Sequence, residues 1–131
     1  LKGRDGLSSP SVPALVAHIA AYRDGAPWLD ARRDYLQANM RYVADTLNNA
    51  FPALCWQPPE ATYLAWIDLR PLNVDDRALQ QALIAEQKVA IMPGYTYGPE
   101  GNGFLRLNVC CPREKLERGV EGLIAALRSL I

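Results

Sequence analysis

The apolar residues of this chain change their period at Pro52, and that change limits what the chain can fold into. Before it, Val12, Leu15, Val16 and Ile19 recur at i, i+3, i+4 and i+7, and Leu36, Met40, Val43 and Leu47 form a second stripe; both have helical spacing. After it, apolar residues come in short runs bounded by proline and glycine, as strands do. The expected order is helix, helix, strand, strand, helix, strand, strand, helix. That is an α+β fold, a small and mainly antiparallel sheet covered on one face by helices.

Local signals set the expected boundaries. Ser9-Pro10 reads as a capping hydroxyl followed by proline at the first helical position, with the helix running to about Tyr22. Gly25-Ala26-Pro27 breaks it, and a long second helix of about six turns follows over 28–49. It stops because Phe51 precedes Pro52, which disfavours helical geometry there. Residues 54–57 are a short strand candidate, and 63–69 a stronger one, rich in aromatic and branched side chains. Asp75 or Asp76 caps a helix carrying Leu79, Ala82 and Leu83, and 89–92 reads as a buried strand. Residues 103–109 form the last strand, and a final helix begins near Pro112 with Leu116, Val120, Leu123, Leu127 and Leu130 on its stripe. The first ~25 residues look separate from the compact part, because the long helix stands between them and the sheet.

Composition removes several function classes. Lys plus Arg and Asp plus Glu both number 14, so formal net charge is zero. A phosphate-backbone binder carries a basic excess or stripe, so nucleic acid is not an expected partner. No apolar run approaches the ~20 residues that span a bilayer, and no signal-peptide pattern opens the sequence, so a cytoplasmic protein without a membrane partner is expected. Cys55, Cys110 and Cys111 show no zinc spacing and read as reduced structural thiols. His18 is the one histidine, which excludes a histidine-rich metal site; packing or hydrogen bonding suits it.

The chemistry centres on Arg106, set between Leu105 and Leu107. A guanidinium stays charged in a protein, and its planar fork of donors matches a carboxylate two bonds at a time. Alternation puts Phe104, Arg106 and Asn108 on one face and Leu105, Leu107 and Val109 on the other, under the last helix. Two fates are open to Arg106: an internal ion pair, with Asp68 as its natural acceptor, or an anion that arrives from outside. The loop from Pro93 to Gly103 holds Gly94, Gly98, Gly101, Tyr95 and Tyr97. It is either a wall beside a ligand site or a surface connection, and it lacks the ending of a phosphate loop. Tyr63 opens its strand and could face a pocket or the core, while Trp28, Trp56 and Trp66 read as packing.

Three ordered blocks carry a family likeness: Ala61-Thr62-Tyr63-Leu64-Ala65-Trp66-Ile67-Asp68-Leu69-Arg70-Pro71, Val89-Ala90-Ile91-Met92-Pro93-Gly94-Tyr95-Thr96-Tyr97-Gly98, and Gly103-Phe104-Leu105-Arg106-Leu107-Asn108 with Cys111-Pro112-Arg113. The chain resembles the C-terminal part of fold-type I pyridoxal-phosphate enzymes, the PatB/MalY-type C–S lyases (cystathionine β-lyases) above all. The likeness covers essentially the whole chain. It implies the small domain of such an enzyme: residues 1–25 a remnant of the large cofactor-binding domain, 26–50 a connecting long helix, and 51–131 the C-terminal small domain. It implies that Arg106 binds the α-carboxylate of an amino-acid substrate such as cystathionine, with Tyr63 and Tyr95 as candidates for the pocket rim. Pyridoxal 5'-phosphate is the implied cofactor, but Lys2, Lys88 and Lys115 do not match the family's cofactor-bearing lysine, so the catalytic lysine is absent from this segment and the fragment alone is expected to be inactive. A homodimer is implied for the full-length protein. The rival readings are an aminotransferase of the same fold and a regulatory module that binds a maltose-system transcription activator.

Overall fold

The computed structural model describes residues 10–131. The chain divides into two compact units, Leu1–Tyr35 and Leu36–Ile131. In the first, helix α1 (Val12–Asp24) is capped by Ser11, whose side chain accepts from the Ala14 amide, and Pro13 sits in its first turn. The helix therefore starts later than the Ser9-Pro10 signal places it, and Ser9 lies outside the described residues. Val12, Leu15, Val16 and Ile19 are all exposed, and His18 stacks on Tyr22 one turn away, with ring centroids 6.1 Å apart.

Helix α2 (Ala26–Ala50) crosses the division, and its later half enters the core of the second unit through Met40, Val43, Ala44 and Leu47. Strand β1 (Leu64–Asp68) follows, then α3 (Asp76–Ala85), β2 (Met92–Pro93), β3 (Phe104–Asn108) and α4 (Arg113–Arg128). The sheet is antiparallel in the order β1-β3-β2. Its inner face buries Ala65, Ile67, Leu105 and Leu107 with Leu116, Val120, Leu123 and Leu127 of α4 and Leu79 and Leu83 of α3. Asp75 caps α3, accepting from the Arg77 and Ala78 amides. The α+β expectation holds.

One expected strand does not form, and another is cut to its last residue. Residues 54–57 leave a short 3-10 turn (Pro52–Leu54) through Cys55 in a left-handed conformation. The backbone of Trp56 then bonds a side chain instead of a strand: its amide donates to Asn48 Oδ1 and its carbonyl accepts from Asn48 Nδ2, both at 2.8 Å. Residues 89–91 are held away from β3 because Lys88 has φ +55° and the Val89 amide donates to the Leu83 carbonyl. Only Met92 and Pro93 reach the sheet. Among the tryptophans Trp56 alone is core; Trp28 and Trp66 are exposed, as is Leu130 at the end of the α4 stripe.

Candidate functional site

Arg106 projects from the centre of β3 on the face opposite the core, because Leu105 and Leu107 on either side are buried. It is registered between Trp66 of β1 and Met92 of β2, so a row of Met92, Arg106 and Trp66 crosses the sheet. Both ends of β3 are tied. At its entry the Gly103 amide donates to Asp76 Oδ2 at 2.8 Å, and Gly103 adopts φ +79° close beneath the Arg70 stem. At its exit Asn39 of α2, fully buried, donates from Nδ2 to the carbonyls of Val109 at 2.8 Å and Cys111 at 3.4 Å. The outer edge of β1 is held by the Trp56 indole, which donates to the Trp66 carbonyl at 2.8 Å.

The glycine-rich segment is a folded wall, built from two 3-10 turns, Gly94–Tyr97 and Pro99–Gly101. They cross so closely that a Cβ on Gly94 would run into the Gly101 carbonyl oxygen, and one on Gly101 into that of Gly94. This crossing sets Tyr97 against the sheet. Its ring lies under the Arg106 guanidinium, with 4.6 Å from Cζ to the centroid, and meets Trp66 edge-on at 5.8 Å. Trp66 in turn stacks on Phe104 at 5.5 Å, and Arg70 covers Phe104 at 4.6 Å.

The two arginines at the ends of this stack differ in their anions. Asp68 grips Arg70 with both carboxylate oxygens, Nε to Oδ1 at 2.9 Å and Nη2 to Oδ2 at 2.7 Å, and Oδ1 also accepts from the Arg70 amide at 3.0 Å. That hydrogen bonding holds the Asp68 carboxyl below its usual range, with partial burial pulling the other way. Asp68 is thus committed, and the internal ion pair open to Arg106 in the sequence is not made. No carboxylate among the described residues pairs with Arg106. A ring occupies only the face of a guanidinium, whereas its N–H donors point outward in its plane. Stacking therefore fixes the group and leaves its fork free.

Arg106 borders a cleft of about 420 Å³ with Met92, Asn108, Lys88 and Lys115. The cleft opens because 88–91 diverges from β3. Tyr95 lines a different hollow, with Asp75, Asp76 and Asn102, and Tyr63 is exposed just before β1, where its carbonyl accepts from the Val109 amide. The tyrosine on Arg106 is Tyr97, which sequence reasoning passed over. Two tyrosines flanking Thr96 ahead of Gly98 gave a signal that one of them turns inward, without saying which.

Lys88 and Lys115 are exposed, and Lys88 Nζ donates to the Ala85 carbonyl at 2.6 Å. The cleft has no acidic side chain in its lining. A pyridoxal phosphate site needs a lysine and an acid for the pyridine nitrogen, so the described residues do not compose one; Lys2 lies outside them.

The second unit is thus an α+β fold with an arginine that has no carboxylate partner among the described residues, set beside a cleft. The chain belongs to the aminotransferase class I and II family, which it matches over residues 4–123, and its fold is that of the small domain of fold-type I pyridoxal-phosphate enzymes. It is 71% identical over 130 residues to Protein MalY of Escherichia coli (strain K12), covering 99% of this chain and 33% of that protein. It is 38% identical over 124 residues to cystathionine beta-lyase PatB of Bacillus subtilis (strain 168), covering 95% and 32%. Cystalysin from Treponema denticola, whose crystal structure contains pyridoxal 5'-phosphate, superposes with TM-score 0.82 at 30% identity, covering 92% and 31%. The chain thus spans about a third of the length of the relatives it matches.

Proposed function

We propose that this chain supplies the substrate-carboxylate clamp of a pyridoxal-phosphate-dependent C–S lyase. The full-length enzyme breaks the β carbon–sulfur bond of cystathionine or a similar amino acid and releases a thiol, pyruvate and ammonia. The observation that carries the reading is Arg106, a guanidinium held by its face on Tyr97 with no carboxylate partner among the described residues. When bound, the cofactor supplies the electron sink for carbanion chemistry. The task of Arg106 is orientation: two parallel N–H bonds to the carboxylate fix the rotation of the substrate about its α-carbon, so that the bond to be broken is aligned. Tyr63 and Tyr95 do not line the cleft beside Arg106 in this chain, so a place on the rim is proposed for them only where the rest of the full-length enzyme completes the pocket. Residues 1–25 are assigned to the large domain, 26–50 to the connecting helix and 51–131 to the small domain, in a cytoplasmic homodimer whose catalytic lysine lies outside this segment.

Arg106→Ala in the full-length enzyme tests this. Losing one partner of a desolvated charge pair costs about 2–4 kcal/mol, so kcat/KM falls about 30- to 1,000-fold. An unchanged kcat/KM sinks the clamp. The family match also favours a second reading, an aminotransferase with the same clamp. Products separate the two: pyruvate and ammonia for the lyase, a new amino acid from an added keto acid for the transferase. A regulatory role toward a maltose-system transcription activator is checked with the same variant, which should keep repression while losing lyase activity.

A further inference from the structure

Arg106 has its carboxylate-facing edge open, and something must still hold it in place. A long side chain of this kind carries considerable rotamer entropy, which binding would otherwise have to overcome. The usual restraint is an acid, but an acid would neutralise the charge and occupy the fork. Among the described residues no acid does this, and Asp68, two residues along β1 from the register partner Trp66, is spent on Arg70. What touches the guanidinium is the Tyr97 ring, 4.6 Å beneath it.

Tyr97 is itself located from two sides. Gly94 and Gly101 cross at a separation that admits no side chain on either, which fixes the 3-10 turn carrying Tyr97. The Trp66 ring meets it at an interplanar angle of 71°, the edge-to-face arrangement that aromatic quadrupoles favour. Trp66 is anchored through its carbonyl by the buried Trp56 indole, and Trp56 by both amide atoms of Asn48. A chain of contacts thus runs from α2 to the ring beneath Arg106.

We propose that Tyr97 is a positioning residue for the substrate carboxylate: its π face holds the Arg106 guanidinium in plane with the incoming anion, in place of the acid that would have competed with it. The inference rests on Arg106 being the clamp. It needs the ring and not the hydroxyl, so phenylalanine should serve and an aliphatic side chain of similar bulk should not.

The test uses the full-length holoenzyme and two substrates that differ only in the α-carboxylate and its carboxamide, with preference read as the ratio of their kcat/KM values. Tyr97→Phe should keep the wild-type preference within about 2-fold, whereas Tyr97→Leu should lower it about 5- to 30-fold, the range expected for loss of a cation–π contact that becomes desolvated. A merely structural role would lower both substrates together and leave the ratio unchanged. Arg106→Ala run alongside separates the two ideas. If it keeps the preference, the clamp reading fails and this inference with it. If it abolishes the preference while Tyr97→Leu retains it in full, the clamp stands and the inference is overturned. Loss of preference in Tyr97→Phe as in Tyr97→Leu also overturns it, because the ring would then not be what matters.

Discussion

Asn39→Asp isolates one buried amide at almost constant shape. Asn39 is fully buried on α2, donates to the Val109 and Cys111 carbonyls, and its own Oδ1 has no hydrogen-bond partner among the described residues. The substitution leaves no cavity; it exchanges two donors for an acceptor and sets a carboxylate against carbonyl oxygens. An uncompensated buried charge costs about 3–5 kcal/mol, against about 5–15 for a whole domain. The folded state responds by keeping the new carboxyl protonated, which raises its pKa above the unfolded value of about 3.9. The folded state then binds more protons than the unfolded one between those two values, so the variant loses stability as pH rises through that window. Below about 3.9 the charge penalty disappears, and a residue of about 1 kcal/mol remains for the lost donor. Urea unfolding of the wild type and variant in parallel, across a pH series and followed by tryptophan fluorescence, measures the difference at each pH. A difference below about 1 kcal/mol near neutrality, or one that is flat with pH, would refute the reasoning, because the amide would then not be a buried donor.

Two further outcomes are expected. Trp56→Phe keeps most of the buried ring area but removes the donor to the Trp66 carbonyl; it should cost about 1–3 kcal/mol in the same unfolding assay, and no loss would mean that water replaces the indole at the edge of β1. Asp68 should titrate below the ordinary carboxylate range because Arg70 favours its charged form. Its folded value is depressed, so the stabilisation is complete above the unfolded pKa of about 3.9 and is lost as pH falls through the folded one. NMR titration of its carboxyl carbon in wild type and Arg70→Ala should show the value rise in the variant, and an unmoved titration would deny the pairing.

What the sequence made legible follows from how local each signal is. The alternation through Leu105, Arg106 and Leu107 needs only its own strand and a covered face, and the structure supplies both. The Asp75 cap bonds amides two and three residues away. The failures involve partners that pattern reading does not pair. Residues 54–57 have strand-like composition, yet Trp56 finds both hydrogen bonds on the Asn48 side chain, eight residues back. The run 89–92 is apolar, yet the Val89 amide bonds Leu83 within the exit of α3 and delays pairing to Met92. The ion-pair question was closer to solution than alternation suggested. Asp68-Leu69-Arg70 places a second arginine two residues from the acid, and a local partner that bonds through both side chain and backbone outcompetes one across the sheet. Choosing Tyr97 over Tyr95 required the crossing of Gly94 and Gly101, a close approach with no one-dimensional signature.

The apolar flank of Arg106 decides how strongly the proposed clamp can act. Two unit charges 4 Å apart attract by about 1 kcal/mol in bulk water and about 4 at the effective dielectric near a protein surface, so the same two hydrogen bonds are worth more wherever water is excluded. The Tyr97 ring lies beneath the guanidinium, and Trp66 and Met92 stand in register beside Arg106 on the neighbouring strands, surface that cannot replace water's hydrogen bonds. An unpaired cation there is tolerable only while its edge stays wet, and Arg106 is indeed half-buried rather than buried. A carboxylate that displaces this water gains the lower dielectric together with the fork geometry, whereas a neutral analogue pays for the desolvation and recovers little. In the proposed clamp, the preference for an anion therefore resides in the Tyr97 ring and its apolar neighbours as much as in the charge of Arg106. Arg70, with the same kind of ring beneath it and Asp68 on its edge, has no such preference left to exert.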